Sequence, residues 1–396
     1  MTDESTGTKT ADWSPLVPDA DGTYAARFKD MRERCPVAWS DDFGGFWALT
    51  KHEDIVKACK DPGTFSSQQQ FAVPHLDLGF PWLPLQSDPP DHGPYRQVLT
   101  PFLSKPRIQG FEPRLRELAR ALIEPLRERE TFDASEEFAQ PFAGEALCLA
   151  LNIPEDMWSE FRSWTWNIST AFSTGNVPLI LEVAASVRSY VEREIKDKTD
   201  NPGDDLMSAF LATRINGRSL TSTEIHGYYM LLTSAGHDTS ANSLGHALHH
   251  LAHHPEHAAR LRAEPELIPR AVEEIVRFYG PLIGLGRTCT KDIELRDRTI
   301  KAGEQVALVW AAAARDEDQF EDADTFVLDR PVTRSVSFGF GAHYCVGADL
   351  GRVQIAAAIR EFLDAFSEFA PNGDVVRTIW PTQGFRSIPV RVPAVP

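Results

Sequence analysis

The sequence predicts a mainly α-helical protein that carries small β-sheets. Three observations lead to that expectation. Amphipathic helical patterns follow one another from Pro94 to about Lys198. A capping-box motif at Thr221 opens a helical run of roughly 30 residues. Strand signals are short and confined to three places, around 37–50, 286–309 and 375–392.

In chain order, residues 1–20 are rich in Thr, Asp and Pro and read as a loosely held arm. Val37–Trp39 and Gly45–Thr50 flank Asp41-Asp42 and Gly44-Gly45 and read as a strand pair. His52–Lys60 is expected to be a short helix. Ser66 to Gln86 combines Pro74, Gly79, Pro81 and Pro84 with Phe71, Phe80 and Trp82, an irregular but apolar loop of the kind used for binding or as a lid. Arg114–Arg127 places Leu115, Leu118, Ala119 and Leu122 on one helical face. Helices are expected again at Pro141–Leu151, Glu155–Ser173 and Leu179–Lys196, until Asn201-Pro202-Gly203 breaks the run.

Thr221 followed three positions later by Glu224 caps the long helix, which should reach His253 before Pro255, about 45 Å, and so cross the whole core. A further helix runs from Pro265-Glu266 to Gly280-Pro281. Strands follow at Gly286–Thr290, Ile293–Leu295 and Gln305–Val309, and a last helix spans Val346 to about Phe366. Without repeats or a linker, residues 21–396 read as a single helix-dominated domain with a sheet-rich lobe.

Composition narrows the function. A formal net charge of −17 argues against nucleic acid or an anionic membrane as the main partner. No apolar run approaches the ~20 residues of a membrane span, and the polar Met1–Thr10 is unlike a signal peptide, so a soluble, cytoplasmic protein is expected. The five cysteines, Cys35, Cys59, Cys148, Cys289 and Cys345, include no C-x-x-C pair, which disfavours a disulfide framework or a cysteine zinc site. Four read as small buried apolar side chains.

Cys345 is different. It lies in Phe338-Gly339-Phe340-Gly341-Ala342-His343-Tyr344-Cys345-Val346-Gly347, just before a helical pattern. Glycines at 339, 341 and 347 permit positive φ and close passage past a flat ligand. A helix start favours a thiolate, and amide donors would tune its electron density. In the middle of the long helix, Ala235-Gly236-His237-Asp238-Thr239 carries a glycine that costs ~1 kcal/mol relative to alanine. A flat ligand or a locally widened helix would offset that cost. Asp and Thr there can also bond back to the preceding turn.

Phe-Gly-x-Gly-x-His-x-Cys-x-Gly closely resembles the haem-binding signature of cytochromes P450, and the likeness extends from about Phe46 to Ile388. The resemblance implies the P450 fold, a triangular prism-like helical domain with a β-rich lobe and a long helix over haem b. It implies Cys345 as the axial thiolate, with Phe338, Ala235 and Gly236 against the haem. Thr239 would hold dioxygen and its water, and Asp238 would relay the two protons that O–O cleavage requires. His92 and Arg96 in Asp91-His92-Gly93-Pro94-Tyr95-Arg96, Arg287 in Gly286-Arg287-Thr288, and His343 would bind the propionates, where bidentate Arg geometry suits carboxylates. Glu274 and Arg277, at i,i+3 in Glu-x-x-Arg, would join Arg330 of Phe326-Val327-Leu328-Asp329-Arg330 to lock the loop leading to the cysteine, although Leu328 stands where the family often has proline.

By the same resemblance the substrate pocket would include Phe71, Phe80, Trp82, Leu85, Leu231, Ala235, Ile283 and Phe385, walls that suit a small, mostly apolar terpenoid or aromatic compound. With no flavin or iron–sulfur domain expected after Pro396, electrons would come from a separate ferredoxin and its reductase. That partner would dock on basic residues such as Arg107, Arg114, Arg116 and Arg352 of a monomer. The main reading is a monooxygenase inserting one atom of O2. The alternatives are a peroxide-driven peroxygenase, disfavoured by the intact Asp238-Thr239 pair, and a haem-binding sensor or carrier without turnover. Six histidines between His246 and His257 recur at i,i+4, a spacing that can grip zinc, but no H-E-x-x-H frame accompanies them. A solvated helix end is the expectation there.

Overall fold

The computed structural model of the chain describes residues 9–75, 77–331 and 335–393. Its centre is the helix Ser222–His253, whose 32 residues span about 48 Å. The capping box forms as expected: Thr221 Oγ1 accepts the Glu224 N–H at 3.2 Å, and Glu224 Oε2 accepts the Thr221 N–H at 2.8 Å. Arg218 holds the Glu224 carboxyl down to about 2, and the Tyr95 hydroxyl donates to it at 2.9 Å. Most of the helix is buried on all sides, as a core-crossing helix must be. Gln140–Leu151, Trp158–Thr174, Val177–Asp200, Ile268–Tyr279 and Ala348–Ala365 pack around it.

Several predicted helices shift at their starts, those expected from Glu155 and Leu179 beginning at Trp158 and Val177. The one expected over Arg114–Arg127 begins at Lys105 and ends at Ile123, and the one expected from Val346 begins at Ala348. The Ala25–Arg34 helix was not expected from the pattern, because Phe28 and Met31 are its only large apolar residues that become buried.

The sheet-rich lobe is a mixed five-stranded sheet. Phe46–Leu49 pairs antiparallel with Val37–Ser40 and parallel with Gln305–Leu308, which pairs antiparallel with Leu285–Cys289; Phe65–Ser66 closes the edge. Alternate side chains of Phe46–Leu49 serve two cores. Phe46 and Ala48 meet Trp13, Tyr24, Phe28 and Trp380, whereas Trp47 and Leu49 meet Ile55, Phe65 and Val306.

Trp13 corrects the expected loose arm. Its ring is 5% exposed and lies edge-on to Phe28, Phe46 and Trp380, and the Asp12 N–H donates to Trp39 O at 2.8 Å. The segment from Lys9 is therefore fastened; residues 1–8 lie outside the described residues. Among the described residues, no helix is long and apolar enough to cross a membrane.

The histidine run is only partly solvated. His253 and His254 are exposed, but His246 and His250 are buried. Burial pushes both imidazoles down to about 3. His246 stacks on Tyr279 with ring centroids 4.6 Å apart, and Tyr279 Oη lies 2.7 Å from His250 Nδ1.

The 66–86 loop lies directly on the long helix, where a Cβ added at Gly227 would stand 1.8 Å from Pro81 O. Alanine normally stabilises a helix interior by ~1 kcal/mol over glycine. Gly227→Ala should instead destabilise the protein by about 1–3 kcal/mol. Gly110→Ala, at an exposed helical site with nothing within 4 Å, should be neutral to stabilising. Thermal unfolding of the two variants checks the contrast, and equal midpoints would contradict it.

Candidate haem site and proton-delivery residues

One cavity gathers most of the residues that the sequence singles out. Its volume is about 220 Å³, and it is partly open to solvent. Cys345, Phe338 and His343 come to it from the glycine-rich loop, Leu231, Ala235, Gly236 and Thr239 from the long helix, Arg287 from its strand, Leu85 from the end of the apolar loop, and His92 and Arg96 from the segment after it.

The glycine-rich loop is shaped by its backbone. Gly339 and Gly341 have φ of 76° and 71°, and a Cβ at Gly341 would stand 2.8 Å from Cys59 O. The Cys345 N–H donates to Phe338 O at 2.8 Å, folding the loop back on itself. Gly347 departs from expectation, since its φ is −90°; its backbone amide instead acts to lower the pKa of the Cys345 thiol. The thiol opens onto the cavity while lying deep among protein atoms. Burial pushes its pKa up, against the Gly347 amide and the charges of Arg96 and Arg352.

A buried ion network anchors the approach to this loop. Glu274 accepts two bonds from Arg277, at 2.7 and 2.8 Å, and two from Arg330 Nε, both at 3.1 Å. It also accepts the Val327 N–H at 2.9 Å. Arg277 donates onward to the carbonyls of Ala314 and Ala323, and Arg330 to those of Glu321, Asp322 and Thr325. The carbonyl and amide bonds clamp the 314–330 segment onto the Ile268–Tyr279 helix.

Across the cavity, positive groups converge, with Asp88 the carboxylate that acts on Arg287 and His92 from a distance. Arg287 is 3% exposed, and its one side-chain bond goes to Gly286 O at 2.6 Å. Neither Arg287 nor Arg96 has an ion-pair partner among the described residues. Burial lowers both guanidinium pKa values and that of His92. His343 is pushed down to about 2 by burial, with Arg287, His92 and Arg96 adding to it. Its Nδ1 is buried without a partner, and its ring centroid lies 4.1 Å from that of His92. Buried guanidiniums need anionic partners, and a ligand carrying two carboxylates fits this set. His92 itself touches the carbonyls of Pro84 and Ala342, at 3.0 and 2.9 Å.

The long helix continues unbroken through Gly236, so no widened turn offsets the glycine. Close packing explains it instead, because a Cβ there would meet Leu147 at 2.7 Å. Thr239 Oγ1 donates back to Ala235 O at 2.9 Å. The Asp238 carboxylate points elsewhere, accepting from Ser169 Oγ at 2.9 Å and from Asn242 Nδ2 at 3.2 Å. Asp238 also raises the pKa of Arg386, which burial lowers and whose guanidinium sits 4.3 Å over the Trp166 ring. Ser169 and Arg386 were not found in the sequence, since neither belongs to a recognisable spacing. The same is true of Gln354, whose amide donates to Ser240 Oγ at 2.5 Å on the cavity wall.

Five predicted pocket residues lie outside this cavity. Phe71 and Phe80 pack on Trp82, with ring centroids 5.4 and 5.6 Å away. Ile283 joins the core around Trp13 and Trp380, and Phe385 packs on His246 and His249. Each is a large apolar residue whose burial is satisfied by neighbouring core, which composition cannot distinguish from a pocket wall. Two of the four basic-patch candidates are also neutralised locally: Arg116 pairs with Glu361 and Arg352 with Glu273.

The fold and cavity define a class, a helical protein with a single cysteine facing a cation-lined pocket. A family model described as "Cytochrome P450" matches residues 177–392. "Cytochrome P450 107B1" of Saccharopolyspora erythraea is 31% identical over 387 residues, covering 92% of this chain and 94% of that protein. "Linalool 8-monooxygenase" of Pseudomonas putida is 31% identical over 351 residues, covering 83% and 85%. The open structure of cytochrome P450 EryK from S. erythraea superposes with a TM-score of 0.84 at 28% identity, covering 94% of this chain and 96% of that one. The chain belongs to the cytochrome P450 family, as a bacterial-type monooxygenase whose family cofactor is haem iron.

Glu274→Gln tests the clamp. It leaves Arg277 and Arg330 short of a charge partner, and removing one member of a buried pair costs about 3–5 kcal/mol. A lower unfolding midpoint and reduced haem content of the purified protein are expected. A midpoint within 1 °C of the parent, corresponding to roughly 0.8 kcal/mol or less, would contradict this account.

Proposed function

We propose that the protein binds haem b through the Cys345 thiolate and oxidises a small, mostly apolar compound with one atom of O2. The observation that supports this most strongly is the meeting in one cavity of Cys345 with Arg96 and Arg287, two guanidiniums lacking carboxylate partners among the described residues. Haem held there supplies iron for dioxygen activation, and thiolate donation favours O–O cleavage. Arg96, Arg287, His92 and His343 would hold the haem's carboxylates, and Phe338, Ala235 and Gly236 line the same cavity.

Thr239 offers a hydroxyl at the cavity wall, already donating to Ala235 O and so free to accept. Asp238 supplies protons to it. Because its carboxylate is bonded to Ser169 and Asn242, delivery requires either a bridging water or rotation of the side chain. Leu85, Leu231, Leu232, Leu282 and Leu285 give the substrate side an apolar lining. Electrons come from a ferredoxin-type partner. Arg107 and Arg114 are the remaining basic docking candidates, Arg107 lying 5.4 Å over the Phe102 and Phe111 rings.

Reduced protein under carbon monoxide should show the red-shifted Soret band of thiolate-ligated haem, and Cys345→Ser should lose it. A band that survives the substitution would remove Cys345 as ligand. Thr239→Ala should keep the band yet divert electrons to hydrogen peroxide. Asp238→Asn should slow turnover by about 10²–10⁴-fold, the scale of lost general acid catalysis. Unchanged coupling and turnover in these two variants would remove both residues from proton delivery.

A further inference from the structure

Where the long helix ends and the Pro255–Ala263 helix begins, three side chains crowd together. One ligand atom each from His254, Glu256 and His257 lies within 4.8 Å of the others. His254 Nδ1 is 3.0 Å from Glu256 Oε1. Behind them, His250 Nε2 lies 2.8 Å from His257 Nδ1, and His250 Nδ1 lies 2.7 Å from the Tyr279 hydroxyl. Phe326 closes the inner side, its ring centroid 3.9 Å from that of His250 and 5.7 Å from that of His257.

We propose that His254, Glu256 and His257 bind a divalent transition-metal ion of the zinc type, with water completing its coordination. Two imidazoles and one carboxylate form the mixed nitrogen–oxygen set that zinc accepts in sites with an open position. Around a tetrahedral zinc ion such atoms stand about 3.3 Å apart, so the exposed side chains must close up by as much as about 1.5 Å on binding.

The surroundings supply what a metal-ligating histidine usually has. His257 is held through one ring nitrogen by His250, which is held in turn by Tyr279, leaving the other nitrogen for an ion. Arg260, one turn along, is paired with Asp329 at 2.7 Å and with Glu264 at 3.4 Å, which offsets its charge.

His254 caps the end of one helix and the start of the next, with φ −128° and ψ 70°. An ion bound there clasps the two helices across their joint. Some 15 residues of helix, about 22 Å, separate Thr239 from His254. The ion therefore acts on stability and takes no part in the oxidation.

Titration of zinc chloride into the full-length, chelator-stripped protein, followed by calorimetry and thermal unfolding, tests the site. One equivalent should bind and the unfolding midpoint should rise. The His254→Ala/His257→Ala variant should lose both effects while its far-UV circular dichroism matches the parent. His253→Ala, an exposed neighbour outside the set, should keep both. Absence of a bound equivalent in the parent, or full binding in the double variant, would overturn the proposal. Glu256→Gln, on the surface, serves if the double variant fails to fold: at least tenfold weaker zinc binding is expected, and unchanged binding would overturn the proposal equally. None of these readouts depends on haem ligation or turnover.

Discussion

The loop that carries Cys345 depends on one buried carboxylate. Glu274 accepts bonds from two guanidiniums and one backbone amide, and those guanidiniums together reach five carbonyls of the 314–330 segment. Such a cluster contributes little net stability, because desolvating three charges is expensive. What it supplies is direction. Carbonyls left without partners on a buried irregular segment would be costly, and the Arg277 and Arg330 guanidiniums satisfy them in one arrangement. The chain then enters the glycine-rich turn, where positive φ at Gly339 and Gly341 and the Cys345-to-Phe338 bond present the sulfur to the cavity.

The long helix divides its length among different tasks. Its capped start is fixed by Glu224, Arg218 and Tyr95. Its middle carries Ala235, Gly236 and Thr239 on the cavity side and Asp238 on the side bonded to Ser169. Its end buries His246 and His250 and leaves His254 at the surface. Helical periodicity alone allows this, since adjacent residues face different neighbours. Asp238 and Thr239 are consecutive in sequence yet engage different neighbours, and that separation is what a relay from the Ser169 side to the cavity requires.

Much of this was legible in the sequence, for identifiable reasons. The capping box, the proline and glycine breaks and the glycine-framed cysteine are local signals, and each appears within a residue or two of its expected place. Glu274, Arg277 and Arg330 were found through the family resemblance, since a Glu-x-x-Arg spacing alone is common on helix surfaces and Arg330 lies far along the chain. Other features depend on tertiary packing. Trp13 looked like part of an arm because nothing nearby in sequence reveals that Phe46 and Trp380 receive it. Phe385 and Ile283 looked like pocket walls because an aromatic or aliphatic side chain buried against protein and one facing a cavity have the same composition. Ser169 and Arg386 meet Asp238 only through the fold.

The central claim concerns the sulfur facing the cavity, so the most direct measurement is iron K-edge X-ray absorption of the purified protein. One sulfur scatterer bound to iron is expected in the parent, replaced by nitrogen or oxygen alone in Cys345→Ser. A parent spectrum without sulfur, or sulfur retained in the variant, would contradict the account.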